Sequence, residues 1–337
     1  MARDLWWVGV VVAGVVVGVS FASYVVKKLR APGFKVEGKH VFITGGSSGL
    51  GLALAKKYAE QGAKVSIVAR GLEKLEQAKS EIQDVGKTTE AKVFTQSCDV
   101  ADFSSVQQAV DAANEFHGRV TDHVMCCAGF ACPGYFQEQD VSLYKKIMDV
   151  NYFGTLHAIK AALPAMVKRS EEGGDGGHVV LVSSGLGLTS WIGYAQYAAS
   201  KYALRGLAES LRNELKLYGI GVSIFYPGNI DTPGYVEENR TKPPETKTIE
   251  GVSELVPADK VAQSLINGLS NGEFSITNDA MIFLLRVLAN GVAPRSNTMM
   301  ETVMLPLIVP IQVGFGFFMD FIVSQTKRAR EAKAKDE

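Results

Sequence analysis

Between residues 39 and 277, short apolar runs alternate with longer segments of helical period, and this alternation limits the fold more than any other feature. Runs of five to seven apolar residues between polar boundaries are typical of buried strands. Strands that alternate with helices form βαβ units, which build a parallel sheet covered on both faces. The sequence therefore predicts a single Rossmann-like, doubly wound α/β domain.

The alternation also gives the order of the elements. Strands are predicted at residues 40–44, 64–69, 92–98, 123–127, 178–183 and 222–226. Helices are predicted at residues 50–61, 72–83, 104–116, 143–168 and 195–217. The glycine-rich segment 171–177 is predicted as a loop between a helix and a strand. A sheet of this kind binds ligands beyond the carboxyl ends of its strands.

The N-terminal region contains an uncharged apolar run at residues 5–26, which at about 1.5 Å per residue is long enough to cross a bilayer. It is too long for a cleaved signal peptide, and only Arg3 precedes it as a basic residue. Lys27, Lys28 and Arg30 follow it closely. The positive-inside rule therefore predicts a signal anchor that leaves the N-terminus outside and the rest of the chain in the cytosol.

A second apolar region occupies residues 279–325 and predicts a C-terminal membrane-associated segment. A single crossing would leave the basic tail after residue 325 outside, against the positive-inside rule. Pro306 and Pro310 are expected to break a helix within the run. We therefore expect a helical hairpin that enters the cytosolic leaflet and returns. A true span and a buried core helix are the alternatives.

The charge balance and the cysteines exclude several classes of function. The chain has 35 basic and 35 acidic side chains, which argues against a nucleic-acid partner. Its four cysteines form no metal-ligand or disulfide pattern, so we expect reduced thiols and no metal. The five histidines are scattered singly and are expected to be structural.

Strand 40–44 leads directly into TGGSSGLG, residues 44–51, which opens a helix. Glycines at 45, 49 and 51 allow a tight turn, close approach of the backbone to a pyrophosphate and close packing of helix on strand. The helix N-terminus offers free amides and the positive end of its dipole to that anion. The strand–turn–helix context predicts a dinucleotide site.

The end of the second strand indicates which dinucleotide is bound. An acidic side chain there would bond the ribose hydroxyls of NAD. This chain has Arg70 instead, whose guanidinium suits the 2′-phosphate of NADP, and Ser47 offers a hydroxyl from the turn. NADPH is the predicted cofactor, and a solvated surface charge is the alternative role for Arg70.

Ser184, Tyr197 and Lys201 form a further candidate site. Tyr197 and Lys201 are four residues apart, so a helix places them on one face, one turn apart. The lysine ammonium is expected to lower the pKa of the phenol from about 10. Ser184 follows a predicted strand, so its hydroxyl and the phenol are expected to meet on one carbonyl oxygen.

Several motifs over residues 38–278 together resemble the short-chain dehydrogenase/reductase family. They are TGGSSGLG, CDV at 98–100, CCAG at 126–129, DVNYFG at 149–154, YAASK at 197–201 and YPGNIDTP at 226–233. The resemblance implies a catalytic tetrad of Asn151, Ser184, Tyr197 and Lys201. The cofactor-binding residues that it implies are Gly45, Ser47, Ser48, Gly49, Leu50, Gly51, Arg70, Asp99, Val100, Ala128, Gly129, Pro227, Gly228, Ile230 and Thr232, with Tyr197 and Lys201 from the tetrad.

The resemblance implies reduction of a ketone. In that reaction NADPH would deliver a hydride to the carbonyl carbon. Ser184 would donate a hydrogen bond to the carbonyl oxygen, and Tyr197 would protonate it. Lys201 holds the nicotinamide ribose, and Asn151 anchors a water. One departure is CCAG, in which Cys126 and Cys127 replace the two asparagines usual in the family, so the bracing between strand and helix is expected to differ.

The segment 231–250 follows the sixth strand, where the family has its substrate lid. It has no helical or strand period and is predicted as a loop whose prolines limit its open states. Glu237, Glu238 and Glu245 are candidates for pairing with a cationic group on the substrate, and solvated loop charges are the alternative.

The lid and the two apolar ends resemble those of family members that reduce lipid ketones at the endoplasmic reticulum membrane. This implies a lipid substrate from the bilayer, with the catalytic domain facing the cytosol. Another membrane-bound reductase, of 3-oxoacyl-CoA or steroid ketones, and a non-catalytic membrane scaffold are the alternatives. The family often pairs through helices such as 143–168 and 195–217, so a homo-oligomer is expected.

Overall fold

The computed structural model of the chain describes residues 35–86, 92–251 and 253–336, together with a few isolated positions before residue 30. The predicted signal anchor at residues 5–26 lies, apart from those positions, outside the described residues.

Seven parallel strands form the main sheet of the described chain, in the order β3-β2-β1-β4-β5-β6-β9. They are β1 (His40–Thr44), β2 (Lys64–Ala69), β3 (Val93–Ser97), β4 (His123–Cys126), β5 (His178–Val182), β6 (Gly221–Tyr226) and β9 (Ser275–Thr277). The six strands predicted from the sequence are present, and β9 is an addition because three residues are too few to show a period. The strand order reverses between β1 and β4, which opens a crevice at the carboxyl edge.

Helices cover both faces of the sheet. One face carries α1 (Gly49–Glu60), α2 (Leu72–Val85) and α9 (Ala258–Ser270), and the other carries α3 (Phe103–His117), α5 (Gly154–Glu171) and α6 (Ala195–Glu214). Two apolar clusters, one on each face, bury both sides of the strands. Strands buried on both faces are continuously apolar, which is why the runs are visible in the sequence.

The helix predicted at 143–168 is interrupted. The structure has α4 (Val141–Met148), a π-helical turn (Asp149–Phe153) and then α5. A π turn bonds residues five apart and often occurs at functional sites. This one holds Asn151 fully buried. A regular 3.6-residue period contains no sign of such a turn, so the prediction of an unbroken helix was wrong there.

The lid segment is helical rather than a loop. After β7 (Ile230–Asp231), which pairs with β8 (Val256–Pro257), the chain forms α7 (Pro233–Thr241) and α8 (Pro244–Glu250). A proline occupies the start of each helix, where its missing amide costs no hydrogen bond and its fixed φ favours the helix. The prolines therefore begin two short helices where the sequence predicted irregular chain.

Two helices complete the described chain, α10 (Ala280–Ala289) and α11 (Thr298–Asp336). The hairpin expected within α11 is wrong, because one helix of 39 residues continues through Pro306 and Pro310. Each proline removes one intrahelical hydrogen bond, and the remaining bonds of a long helix maintain it. Within the described residues, the stretch 298–329 is the one helix long and apolar enough to cross a membrane.

A buried ion pair joins α10 to α11. The Arg286 guanidinium donates to the Glu301 carboxylate over 2.7 Å, and the two residues are 1% and 0% exposed. The backbone amides of Ser296 and Asn297 also donate to Glu301. The Glu301 carboxylate therefore accepts from the amides at the end of the interhelix loop, just before α11, and neutralises Arg286, the one charged residue of α10.

The histidines meet at the amino edge of the sheet, opposite the crevice. Four of the five lie there, His40, His117, His123 and His178. His40 and His117 share the Ser66 hydroxyl at 2.8 and 3.1 Å, and burial lowers their pKa values to about 3 and about 4. They are neutral structural groups, which agrees with the sequence expectation.

We predict that Glu301→Gln lowers the free energy of unfolding by about 3–5 kcal/mol, because Arg286 keeps a buried charge without its carboxylate. Denaturant unfolding of the detergent-solubilised protein measures the loss. The double variant Arg286→Met/Glu301→Gln removes the buried guanidinium and keeps an acceptor for the Ser296 and Asn297 amides, so it should lose far less. Equal losses in the single and double variants would contradict the prediction.

Candidate active site

The turn between β1 and α1 is shaped by two glycines. Gly45 has φ +68°, and a Cβ there would lie 2.9 Å from the Ala128 Cα atom. A Cβ on Gly51 would lie 2.4 Å from the Gly45 carbonyl oxygen. A side chain at Gly45 would push the turn away from the chain that follows β4, and one at Gly51 would push α1 away from the turn. The turn is thus held close to the crevice, as the motif predicts.

The N-terminus of α1 is open to an anion. Its N-cap residue Ser48 has an extended backbone and makes no side-chain bond to the first amides of the helix. Uncapped amides and the positive end of the helix dipole attract phosphate. The glycine cradle and this helix end fit the pyrophosphate of a dinucleotide.

The predicted adenine-side residues lie at the ends of neighbouring strands. Arg70 follows β2, and Asp99 and Val100 follow β3, so all three lie at the carboxyl edge beside the glycine turn. Arg70 is exposed, and within the described part of the chain no carboxylate pairs with its guanidinium. The guanidinium is therefore available to an anionic ligand.

Ser184 and Tyr197 meet beyond the end of β5. Ser184 begins a short 3-10 turn, Gly185–Gly187, whose Leu186 amide donates to the serine hydroxyl at 3.2 Å. Burial raises the pKa of Tyr197, and the charges of Glu238 and Glu250 raise it further, while a hydrogen bond with Ser184 lowers it. The phenol is held protonated beside the serine hydroxyl.

Lys201 lies one helical turn beyond Tyr197. Its Nζ atom is 5.5 Å from the centre of the tyrosine ring and donates to the Val182 carbonyl at 3.0 Å. Burial lowers the pKa of Lys201 to about 8. The expected lowering of the tyrosine pKa is not found, because burial and the charges of Glu238 and Glu250 raise the pKa of Tyr197.

Asn151 braces the site from the π turn. Its Oδ1 atom accepts from the Phe130 amide at 3.0 Å, and its Nδ2 atom donates to the Phe130 carbonyl and to the Ser200 hydroxyl. The side chain therefore ties the chain after β4 to α6, on which Tyr197 lies. The predicted role of Asn151 in anchoring a water stays a prediction.

The two cysteines that replace the family's asparagines are packed thiols. The Cys126 thiol lies 3.8 Å from the Thr155 carbonyl, and the Ala128 amide donates to the Thr44 hydroxyl at 3.2 Å. Burial raises the pKa of Cys127 to about 12. These contacts supply the different bracing that the sequence predicts, with thiols that are unreactive near neutral pH.

A cluster of charges closes the lid beside Tyr197, and we call it the lid cluster: Tyr194, Glu238, Lys242 and Glu250. Lys242 lies 3.1 Å from Glu238 and also pairs with Glu250. The Tyr194 hydroxyl donates to Glu238. The Tyr194 ring centre is 5.9 Å from that of Tyr197. Two carboxylates and one ammonium give the lid cluster one excess negative charge by formal count, and burial raises the pKa of Glu250.

The three glutamates singled out in the sequence have different environments. Glu237 is 67% exposed and pairs with Arg240 on the outer side of α7. Glu245 is buried and accepts a hydrogen bond from Tyr135. Glu238 belongs to the lid cluster with its side chain 20% exposed, and its charge acts on Tyr197. Glu238 is therefore the one of the three that faces the catalytic phenol.

Sequence reasoning missed three members of the lid cluster, Tyr194, Lys242 and Glu250. The spacing of Glu238 and Lys242, four residues apart, is a signal that would have found one pair on a helix. Nothing in the sequence brings Tyr194 or Glu250 to that pair, because both arrive from other elements.

The chain matches the family model described as short chain dehydrogenase over residues 39–243. A 3-ketodihydrosphingosine reductase of Dictyostelium discoideum is 40% identical, with 82% of this chain and 86% of the relative covered. A 3-ketodihydrosphingosine reductase of Bos taurus is 35% identical, with 93% of each chain covered. A 3-dehydrosphinganine reductase of Danio rerio is 38% identical, with 84% of each covered.

Solved structures share the fold. A short chain dehydrogenase/reductase from Burkholderia phymatum in complex with NAD matches with a TM-score of 0.66 at 25% identity, covering 75% of this chain and 93% of that one. Levodione reductase matches with a TM-score of 0.64 at 26% identity, covering 72% and 97%. The family and these solved structures support a nicotinamide cofactor for this chain.

Proposed function

The chain belongs to the short chain dehydrogenase family, and we propose that it reduces 3-ketodihydrosphingosine (3-ketosphinganine) to sphinganine with NADPH. The names of relatives that align along most of the chain support this substrate. The observation that carries the proposal is the excess negative charge of the lid cluster beside Tyr197, because this substrate has a cationic amine next to its ketone.

The catalytic side chains act on the carbonyl oxygen. When bound, the nicotinamide supplies the hydride that is added to the carbonyl carbon. The Ser184 hydroxyl and the Tyr197 phenol donate hydrogen bonds to the oxygen and stabilise the negative charge that develops there. Tyr197, whose raised pKa keeps it protonated, then transfers its proton as general acid. Lys201 would hold the ribose of the nicotinamide.

NADPH is proposed over NADH because of Arg70. Its exposed guanidinium follows β2 at the position where an acidic residue would bond the ribose of NAD. Guanidinium groups bind phosphate through charge-assisted hydrogen bonds. Ser47, in the neighbouring glycine turn, offers a hydroxyl to the same 2′-phosphate.

The amine of the substrate is proposed to pair with Glu238. The amine is attached to the carbon next to the ketone, so it lies beside the oxygen that Tyr197 protonates. An ammonium within a few ångströms of the lid cluster neutralises its excess charge. The same ammonium offsets the carboxylates that raise the pKa of Tyr197, so a cationic ketone makes the phenol a stronger acid.

We place the enzyme at the endoplasmic reticulum membrane, with the catalytic domain in the cytosol. The apolar helix 298–329 and the uncharged run 5–26 support membrane attachment by length and composition. The basic residues after position 26 support the cytosolic side for the catalytic domain. The substrate, an amino lipid with a long alkyl tail, is supplied from the bilayer.

Turnover by the Tyr197→Phe variant tests the proposed function. Purified wild-type protein with NADPH and 3-ketosphinganine should form sphinganine, followed by mass spectrometry, with a steroid ketone and a 3-oxoacyl-CoA run alongside. Tyr197→Phe should lower kcat by about 10²–10⁴-fold through loss of the general acid, with NADPH binding retained. Ordinary turnover by the variant, or no sphinganine from the wild type, would contradict the proposal.

We predict that Arg70→Gln raises KM for NADPH about tenfold, since it removes one charge-assisted contact with the 2′-phosphate. KM for NADH should change less than about twofold. Steady-state rates with the two cofactors measure both constants. A similar change for NADPH and NADH would show that Arg70 does not recognise the phosphate.

Glu238→Gln should raise KM for 3-ketosphinganine about tenfold or more, because the lid cluster becomes neutral. KM for the N-acetylated ketone, which has the same carbonyl and tail without the charge, should remain unchanged. The glutamine keeps an acceptor for the Tyr194 hydroxyl, so the lid should stay closed. Steady-state kinetics with the two ketones make the comparison.

Glu237→Gln is the matched control for this prediction. It removes the same charge one residue earlier on α7, from a side chain that points away from the site. Its kinetics should equal those of the wild type with both ketones. Equal effects of Glu238→Gln on the charged and neutral ketones would refute recognition of the amine by Glu238.

A further inference from the structure

A cavity of about 210 Å³ lies between the C-terminal helices and the catalytic domain. Leu285 and Leu288 of α10 form one wall, and Phe315, Gly316 and Met319 of α11 form another. The third wall comes from the chain that follows the catalytic serine, at Leu188. An apolar cavity of about 150 Å³ is known to take up benzene, so this volume is sufficient for part of an apolar ligand.

Two sets of contacts connect the cavity wall to the reaction centre. The Leu188 amide donates to the Gly185 carbonyl at 3.0 Å, directly after Ser184. A row of rings also connects Tyr197 to Tyr194, Trp191 and Phe315, with centre-to-centre distances of 5.9, 6.4 and 6.3 Å. Phe315 lines the cavity. The aromatic row therefore extends by ring contacts from Tyr197 to α11.

The other side of α11 faces outward and is apolar. Exposed side chains on it include Leu307, Val309, Ile311, Val313, Phe317 and Phe321. This surface suits lipid, while the opposite side of the same helix lines the cavity. Helix α11 thus separates an outward apolar surface from the cavity, whose lining also includes the polar residues Thr189 and Gln312.

We propose that the cavity between α10 and α11 binds the alkyl tail of the lipid substrate, so that α11 is a wall of the substrate site as well as a membrane helix. This inference rests on the proposed function for the presence of a long-chain ketone. With the polar head at Ser184, Tyr197 and the lid cluster, the tail follows the aromatic row and ends against Gly316. The tail site sets the preference for long chains.

Gly316→Leu tests the tail site. No atom lies within 4 Å of the position of a Cβ on Gly316, so the new side chain enters the cavity without displacing the helix. KM for the long-chain ketone should rise about tenfold, equivalent to ~1.4 kcal/mol, as expected from excluding roughly two methylene groups. A short-chain amino ketone, whose tail ends before the cavity, should keep its wild-type KM.

Gly314→Leu is the matched control. Gly314 lies on the same helix, also has no atom within 4 Å of a Cβ, and faces outward rather than into the cavity. Both variants replace a glycine of α11 by leucine, so they share the same change in helix propensity and the same added apolar side chain. Its KM for long and short ketones should equal the wild-type values. NADPH binding, measured by fluorescence, should be unchanged in both variants.

A photoactivatable group near the end of the alkyl chain gives a readout that is independent of turnover. Crosslinks should map to residues 285–289 and 312–319 in the wild type and diminish in Gly316→Leu. Equal kinetics of the two glycine variants, or crosslinks at other residues, would overturn the tail site. The proposed function would still stand if the wild type turns over the long-chain ketone. Absence of long-chain turnover in the wild type would instead overturn the proposed function.

Discussion

The parallel sheet imposes the constraint on which the rest of the molecule depends. Because all seven strands point the same way, every segment that follows a strand emerges at one edge. The glycine turn, Arg70, Asp99, Ser184 and the lid come from five different strand ends and share that edge. The opposite edge carries neutral, buried histidines and has a structural role. Because the strands are parallel, the site residues lie at one edge of the sheet and the structural histidines lie at the other.

The charged side chains at the crevice leave an excess negative charge that the cationic amine of the proposed substrate would neutralise. The lid cluster holds two carboxylates against one ammonium, and burial makes the excess charge effective at Tyr197. Such an arrangement suits a cationic ketone and disfavours an anionic thioester of coenzyme A. The prolines of the lid begin helices α7 and α8, which present the charges on a defined surface.

The C-terminal helices connect the catalytic region to an apolar surface that is long enough to cross a membrane. The Arg286–Glu301 pair fixes α11 against α10, and α11 also packs on lid helix α8. One helix therefore contacts the lid, borders the cavity and exposes an apolar surface. A substrate dissolved in a bilayer requires such a connection, since its polar head has to reach Ser184 and Tyr197 while its tail remains out of water.

The sequence by itself determined the parallel fold, the glycine turn and the pairing of Tyr197 with Lys201, because these depend on local periods and short spacings. Tertiary structure alone decided the π turn at Asn151, the unbroken path of α11 and the raised pKa of Tyr197. It also brought Tyr194 and Glu250 to Glu238. These outcomes depend on burial and on contacts between residues distant in the chain, which no local pattern encodes.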